Sequence, residues 1–218
     1  MGNCASNLNF GGHPRAIREG LWVFPPNQQA NGSTSWWLDC DPEPLLIDCP
    51  SFSEETLKGL KKLARGRSAL IILTNRDAHG QIREFQEELG WPVLLQEQEA
   101  YLLPSVSELK TFADKVSTKS GINLLWTPGP SPGSCIALAQ GPWNVIFCGR
   151  LLIPVGFNQL AGIKHPRTFH WPRHLQSLEK VRKWIPSDAR PGLASGANLS
   201  LLGSRLIVDW EGWSMLKV

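Results

Sequence analysis

Leu73-Thr74-Asn75-Arg76-Asp77-Ala78-His79-Gly80 is the stretch on which the reading of this chain turns. It closes the β-rich apolar run 69–73 and leads into residues 82–89, a helix stopped by Gly90, after which 93–95 reads as another strand. On its N-terminal side Ser53 is a good N-cap with Glu54 and Glu55 in the first turn. Leu57, Leu60 and Leu63 then repeat at helical spacing as far as Gly66. The strand, helix and strand of 69–95 make a βαβ unit. Farther out, 21–24, 35–38 and 45–47 read as an antiparallel meander, separated by the turn-rich 25–33 and the acidic 39–44.

A second stretch, Thr127-Pro128-Gly129-Pro130-Ser131-Pro132-Gly133-Ser134, follows a strand at 124–126. Strands at 135–139 and 145–148 come next, joined through Gln140-Gly141-Pro142, which suits a hairpin turn. Residues 175–184 form an amphipathic helix with Leu175, Leu178 and Val181 on one stripe and Lys180, Arg182 and Lys183 near its end. Strand, hairpin and helix thus recur on either side of the middle. The order fits two packed mixed β-sheets flanked by helices.

Composition sets the outer limits. At 218 residues, 42% hydrophobic and 19% charged, the chain suits a single large domain spanning 1–218, with 1–19 as an N-terminal arm and 198–218 as a divergent tail. A net charge of +3 gives no strong nucleic-acid signal. The cluster Lys58, Lys61, Lys62, Arg65 and Arg67 reads as a solvated helix face. Ten tryptophans, among them Trp36, Trp37, Trp210 and Trp213, are mainly core residues, with a minority available as partner anchors. Five cysteines (Cys4, Cys40, Cys49, Cys135 and Cys148) without Cys-x-x-Cys spacing argue against a zinc ribbon or disulfide framework and for a reducing compartment. No run is long enough to span a bilayer, and a soluble cytoplasmic protein is expected. Met1-Gly2-Asn3-Cys4-Ala5-Ser6 fits the short pattern for N-myristoylation, which has frequent chance matches.

The two strand-end stretches resemble the metallo-β-lactamase superfamily, whose members carry Thr-His-x-His-x-Asp-His after one strand and Thr-Pro-Gly-His-Ser-Pro-Gly-Ser after a later one. The resemblance implies an α/β (α+β) fold, the four-layer αβ/βα sandwich. It also implies a site in which imidazole and carboxylate groups hold zinc or iron, lower the pKa of a bound water and polarise a substrate oxygen. In this chain the ligand types are largely gone. Aligned on Thr74, the two leading histidine positions hold Asn75 and Asp77, the aspartate position holds His79, and the last histidine position holds Gly80. Pro130 stands at the histidine of the second motif. Asn144-Val145-Ile146-Phe147-Cys148-Gly149-Arg150 resembles the strand whose terminal aspartate bridges two metals, and places Arg150 at that position. Ala189-Arg190-Pro191-Gly192-Leu193 aligns weakly with a last histidine motif, at Leu193. Asp48 matches a family aspartate that does not usually bind the metal itself. Gln96-Glu97-Gln98-Glu99-Ala100-Tyr101-Leu102-Leu103-Pro104, residues 149–154 and Thr168-Phe169-His170-Trp171 resemble a group of β-lactamase-fold proteins from photosynthetic prokaryotes, over most of 20–197.

From this pattern Arg150 is expected either to pair with Asp77, a guanidinium standing in for the lost cation, or to point to solvent. A rebuilt metal site would draw on Asp77, His79 and His170. Ser131, Ser134 and Cys135 lack the Gly-x-Ser-x-Gly elbow of a hydrolase, and residues 129–133 lack the lysine and amide donors of a phosphate loop. The first functional reading is a non-catalytic protein that binds a partner protein or small ligand in the old cleft, with no cofactor. The second is a metal-dependent hydrolase with an altered site that uses zinc or iron. A regulatory subunit paired with an active homologue is a third, minor reading. Oligomeric state is open.

Overall fold

The computed structural model describes residues 13–186 and 188–209. The lipidation-like pattern, Cys4, Trp210 and Trp213 lie outside these residues. The chain begins with the meander β1 (Arg15–Arg18), β2 (Leu21–Val23), β3 (Trp36–Leu38) and β4 (Leu45–Ile47), each antiparallel to the next. Helix α1 (Glu54–Ala64) then carries the chain to β5 (Leu70–Ile72), and α2 (Ile82–Leu89) carries it to β6 (Val93–Gln96), both strands parallel to their predecessors. With β7 (Leu109–Phe112) at its edge, this sheet has seven strands in sequence order. The strands β8 (Lys115–Ser117), β9 (Asn123–Trp126), β10 (Cys135–Ala139), β11 (Val145–Phe147) and β14 (Gly192–Ala194) make a second sheet in the order β14-β11-β10-β9-β8. The hairpin β12 (Ile153–Gly156) and β13 (Gln159–Ala161) precedes α3 (Trp171–Trp184).

Strand alternation assigns the layers. Trp36, Leu38, Leu45, Ile47, Leu70, Ile72 and Leu94 belong to the core between the sheets. Their neighbours Trp37, Leu46, Ile71, Val93 and Leu95 pack instead with Leu57, Leu60, Ile82 and Phe85 of the two helices. Trp36 crosses the inter-sheet space to Phe147, ring centroids 5.9 Å apart. On the far side Ile136, Ile146 and Leu193 meet Leu178 and Val181 of α3 and Ile185 just after it. Helix, sheet, sheet and helix are the expected four layers, and the structure is mixed α and β.

Helix ends follow the sequence signals. The Ser53 side chain accepts from the Thr56 N–H, and Arg65 and Gly66 close α1 with φ of 53° and 78°. Gly90, at φ 65°, stops α2. Helix α3 starts four residues before the expected Leu175 because Pro172 sits in its first turn, where no N–H is needed. Residues 15–18, read as part of an arm, are a strand of the first sheet. The segment 198–209, read as a divergent tail, packs on the sandwich: Leu199, Leu202, Leu206 and Val208 join the core, and Val208 exchanges backbone hydrogen bonds with Leu193. The basic cluster is exposed except Arg67, which pairs with Asp39 and Asp41. Cys40, Cys49, Cys135 and Cys148 are unpaired and buried. Among the described residues no helix is long and apolar enough to cross a membrane.

Candidate functional site

The first sequence stretch leaves β5 and turns at once. Asn75 caps a short 3-10 turn, Arg76–Ala78, its side chain accepting from the Asp77 N–H at 3.1 Å and its amide donating to Thr74 Oγ1 at 2.9 Å. Beneath it Asp48, at the end of β4, is fully buried and accepts from the Thr74 N–H and hydroxyl, each at 2.8 Å. Burial pushes the Asp48 carboxyl up to about 7, against the pull of Thr74 and Arg150. Gly149, at φ 51°, lets β11 turn against this pair; a Cβ there would meet Thr74 Oγ1 at 2.7 Å.

Asp77 is the centre of the open site. Its Oδ1 accepts from Arg167 Nη2 at 2.6 Å, and its Oδ2 lies 3.7 Å from Arg150 Nε. The guanidinium of Arg150 is therefore beside Asp77, as an ion pair but without the bidentate hydrogen bond that the residue types allowed. Its Nη2 donates instead to the Asn31 carbonyl at 2.7 Å and to Ser33 Oγ at 3.3 Å, and its buried Nε has no hydrogen-bond acceptor among the described residues. Burial lowers the Arg150 pKa while Asp77 and Asp48 oppose the shift, and the group stays a cation. Asn31 grips both cations, since its side-chain oxygen accepts from Arg167 Nη1 at 2.5 Å. Asn31, Asp77, Pro130, Arg150, Ile153, Ile163, His165 and Arg167 line a cleft of about 310 Å³.

Of the other residues considered, His174 also lines this cleft and the rest lie elsewhere. His79 is buried against Glu99, with Nε2 3.6 Å from Oε2 and no hydrogen-bond partner for that nitrogen among the described residues. Glu99 is itself buried and accepts from the Gly133 N–H at 2.9 Å, so it ties the two sequence stretches together. His170 is exposed and caps α3, its Nδ1 accepting from the Arg173 N–H at 3.2 Å. His174 is buried with Nε2 3.0 Å from the Leu151 carbonyl, and burial lowers its pKa and keeps it neutral at pH 7. Leu193 is a buried strand residue. Ser131 and Ser134 hydrogen-bond each other at 2.9 Å. Trp171, at the start of α3, is half-buried with its ring 4.9 Å from that of His174. Sequence reasoning did not find Arg167, Asn31 or Glu99.

The donor set does not fit a metal centre. Among the described residues no group of three or more His, Cys, Asp or Glu side chains is placed to hold an ion. Gly80, at φ 49°, is a strained and crowded position for a histidine: a Cβ there would lie 3.0 Å from Asn27 Nδ2 and 3.1 Å from Cys49 Sγ. A divalent ion at Asp77 would also face two guanidiniums. Two unit charges 4 Å apart repel by about 4 kcal/mol at an effective dielectric of 20, and a double charge doubles that figure.

No protein-family model and no curated protein matches the chain. Solved structures do. The DIM-1 metallo-β-lactamase shares 11% identity with a TM-score of 0.65, over 85% of this chain and 89% of that one. ST1585 of Sulfolobus tokodaii, an archaeal metallo-β-lactamase superfamily protein, shares 13% with a TM-score of 0.58, over 83% and 80%. TTHA1623, solved in a di-iron-bound form, shares 19% with a TM-score of 0.59, over 85% and 92%. At these identities the likeness concerns the fold. Layer order, sheet connectivity and these neighbours agree: the chain has the metallo-β-lactamase fold.

Proposed function

We propose that this is a non-catalytic metallo-β-lactamase-fold protein that binds a small ligand or partner in the cleft where its structural neighbours do metal chemistry. One observation carries the reading: Asp77 lies between the guanidiniums of Arg150 and Arg167. A carboxylate that would otherwise call for a metal ion has two permanent cations beside it, and arginine offers donors but no lone pair to a metal. The four buried, unpaired thiols suit a reducing cytoplasm.

The second reading, a hydrolase with a rebuilt zinc or iron site, draws on His79, whose unpartnered Nε2 lies beside the Glu99 carboxylate. Two such groups are one short of the usual three protein ligands of a catalytic zinc. Elemental mass spectrometry of untagged protein, purified from zinc- and iron-supplemented cells, separates the two readings. Metal far below one equivalent in folded protein supports the binding role. Near-stoichiometric zinc, iron or manganese overturns it.

A further inference from the structure

The cleft holds more positive charge than its own carboxylate can balance. Arg150 and Arg167 face it, and among the described residues Asp77 is its one lining carboxylate. The next carboxyl beyond Arg150, Asp48, is buried behind Thr74 and does not line the cleft. The cations are also held in place. Arg150 is tied by Nη2 to Asn31 and Ser33, and Arg167 by Nη1 to Asn31, so one loop holds both guanidiniums toward the cleft. Arg150 is short of acceptors as well: its Nε is buried with none, the Asp77 oxygen at 3.7 Å lying beyond hydrogen-bond length.

Size and walls narrow the class of ligand. A volume of about 310 Å³ is at the lower end of the range for small-molecule pockets. Pro130, Ile153 and Ile163 supply an apolar wall next to the two cations. We propose, resting on the reading of the cleft as a binding site rather than a metal centre, that it takes a small organic oxyanion. A carboxylate or phosphate head group lies on Arg150 and Arg167, and a compact apolar body lies against Pro130, Ile153 and Ile163. Both head groups match the guanidinium fork. Asp77 then has a second role, as the internal anion that occupies the cations until the ligand arrives.

Isothermal titration of the full chain, after its metal content has been measured, tests this with benzoate, phenyl phosphate, inorganic phosphate and the uncharged benzyl alcohol. The expected result is saturable one-to-one binding of benzoate or phenyl phosphate and none of benzyl alcohol. The better of the two oxyanions tells a carboxylate site from a phosphate site. Arg167→Gln, at a half-exposed position chosen so that the fold is kept, weakens binding about tenfold or more, the size of one charge-assisted hydrogen bond. Asp77→Asn has the opposite sign and tightens binding several-fold by removing the competing anion. Failure of all three anions to bind, or binding indifferent to Arg167→Gln, overturns the proposal in a metal-free preparation and leaves the binding-protein reading standing. Stoichiometric metal overturns that reading itself.

Discussion

Asp48 and Asp77 sit near the same end of the sandwich and are satisfied in different ways. Asp48 is sealed in, takes its hydrogen bonds from the neutral Thr74, and has a carboxyl pushed up to about 7. Asp77 is partly open and takes its partners from two arginines that come from distant parts of the chain. The contrast separates a group that holds loops together from a group that needs a cation. Asp48 ties β4 to the end of β5 through geometry, and a proton on it changes little in that role. Asp77 is an electrostatic partner, and here the partner is guanidinium.

The largest effect is expected at the buried carboxyl. Asp48→Ala leaves the Thr74 N–H and hydroxyl without their acceptor and should lower unfolding free energy by about 3 kcal/mol or more, read by chemical denaturation. Arg150→Ala comes second, at about 1–2 kcal/mol: Asn31 and Ser33 lose their donor while Arg167 still serves Asp77. A larger loss at Arg150 than at Asp48 would break the comparison.

Titration sharpens it. The folded pKa of Asp48, about 7, lies above the value near 4 of an unfolded aspartate, so between those pH values the folded state keeps a proton that the unfolded state has lost. Its contribution to stability therefore falls as pH rises from about 4 to about 7 and is level above that. Asp48→Asn should flatten this part of the stability profile relative to the parent. An unchanged difference between the two proteins across that window would contradict the assignment. The smallest effect is at Arg167, whose side chain is 48% exposed: Arg167→Ala should cost below about 1 kcal/mol, and less still in high salt.

How much of this was legible in the sequence depended on the distance over which each feature is encoded. Strand β4, helix α2 and strand β10 begin and end where apolar pattern and Gly90 place them, because those signals lie within a few residues. Strands β7 and β8 were not foreseen; they are edge-side segments with polar residues such as Lys110, Thr111 and Lys115. Strand β14 is three residues whose pairing comes from β11, far away in the chain. The site divides in the same way. Asp77 and Arg150 were marked by motifs at strand ends, whereas the Arg167 bonds to Asp77 and Asn31 span 90 and 136 residues and leave no local trace. Glu99 stands in a run of Gln and Glu, residue types that are mostly exposed, yet it is buried on Gly133.

The four buried thiols turn the sandwich into its own reporter. A thiolate-seeking alkylating reagent finds none of them reactive in the closed fold, since burial pushes Cys40 up to about 11 and Cys148 up to about 12, and raises Cys49 and Cys135 as well. Modification must therefore wait for local or global opening. Cys49 belongs to the layer between the first sheet and its helices, Cys40 and Cys135 to the core that includes the space between the sheets, and Cys148 lies with Ile136 and Ile146 on the side of the second sheet that faces α3. Cys135, its Sγ 3.6 Å from the Leu73 carbonyl, sits where the segment that leads from β5 to Asp77 meets the second sheet. The order in which these sulfurs acquire the label is the order in which the layers come apart.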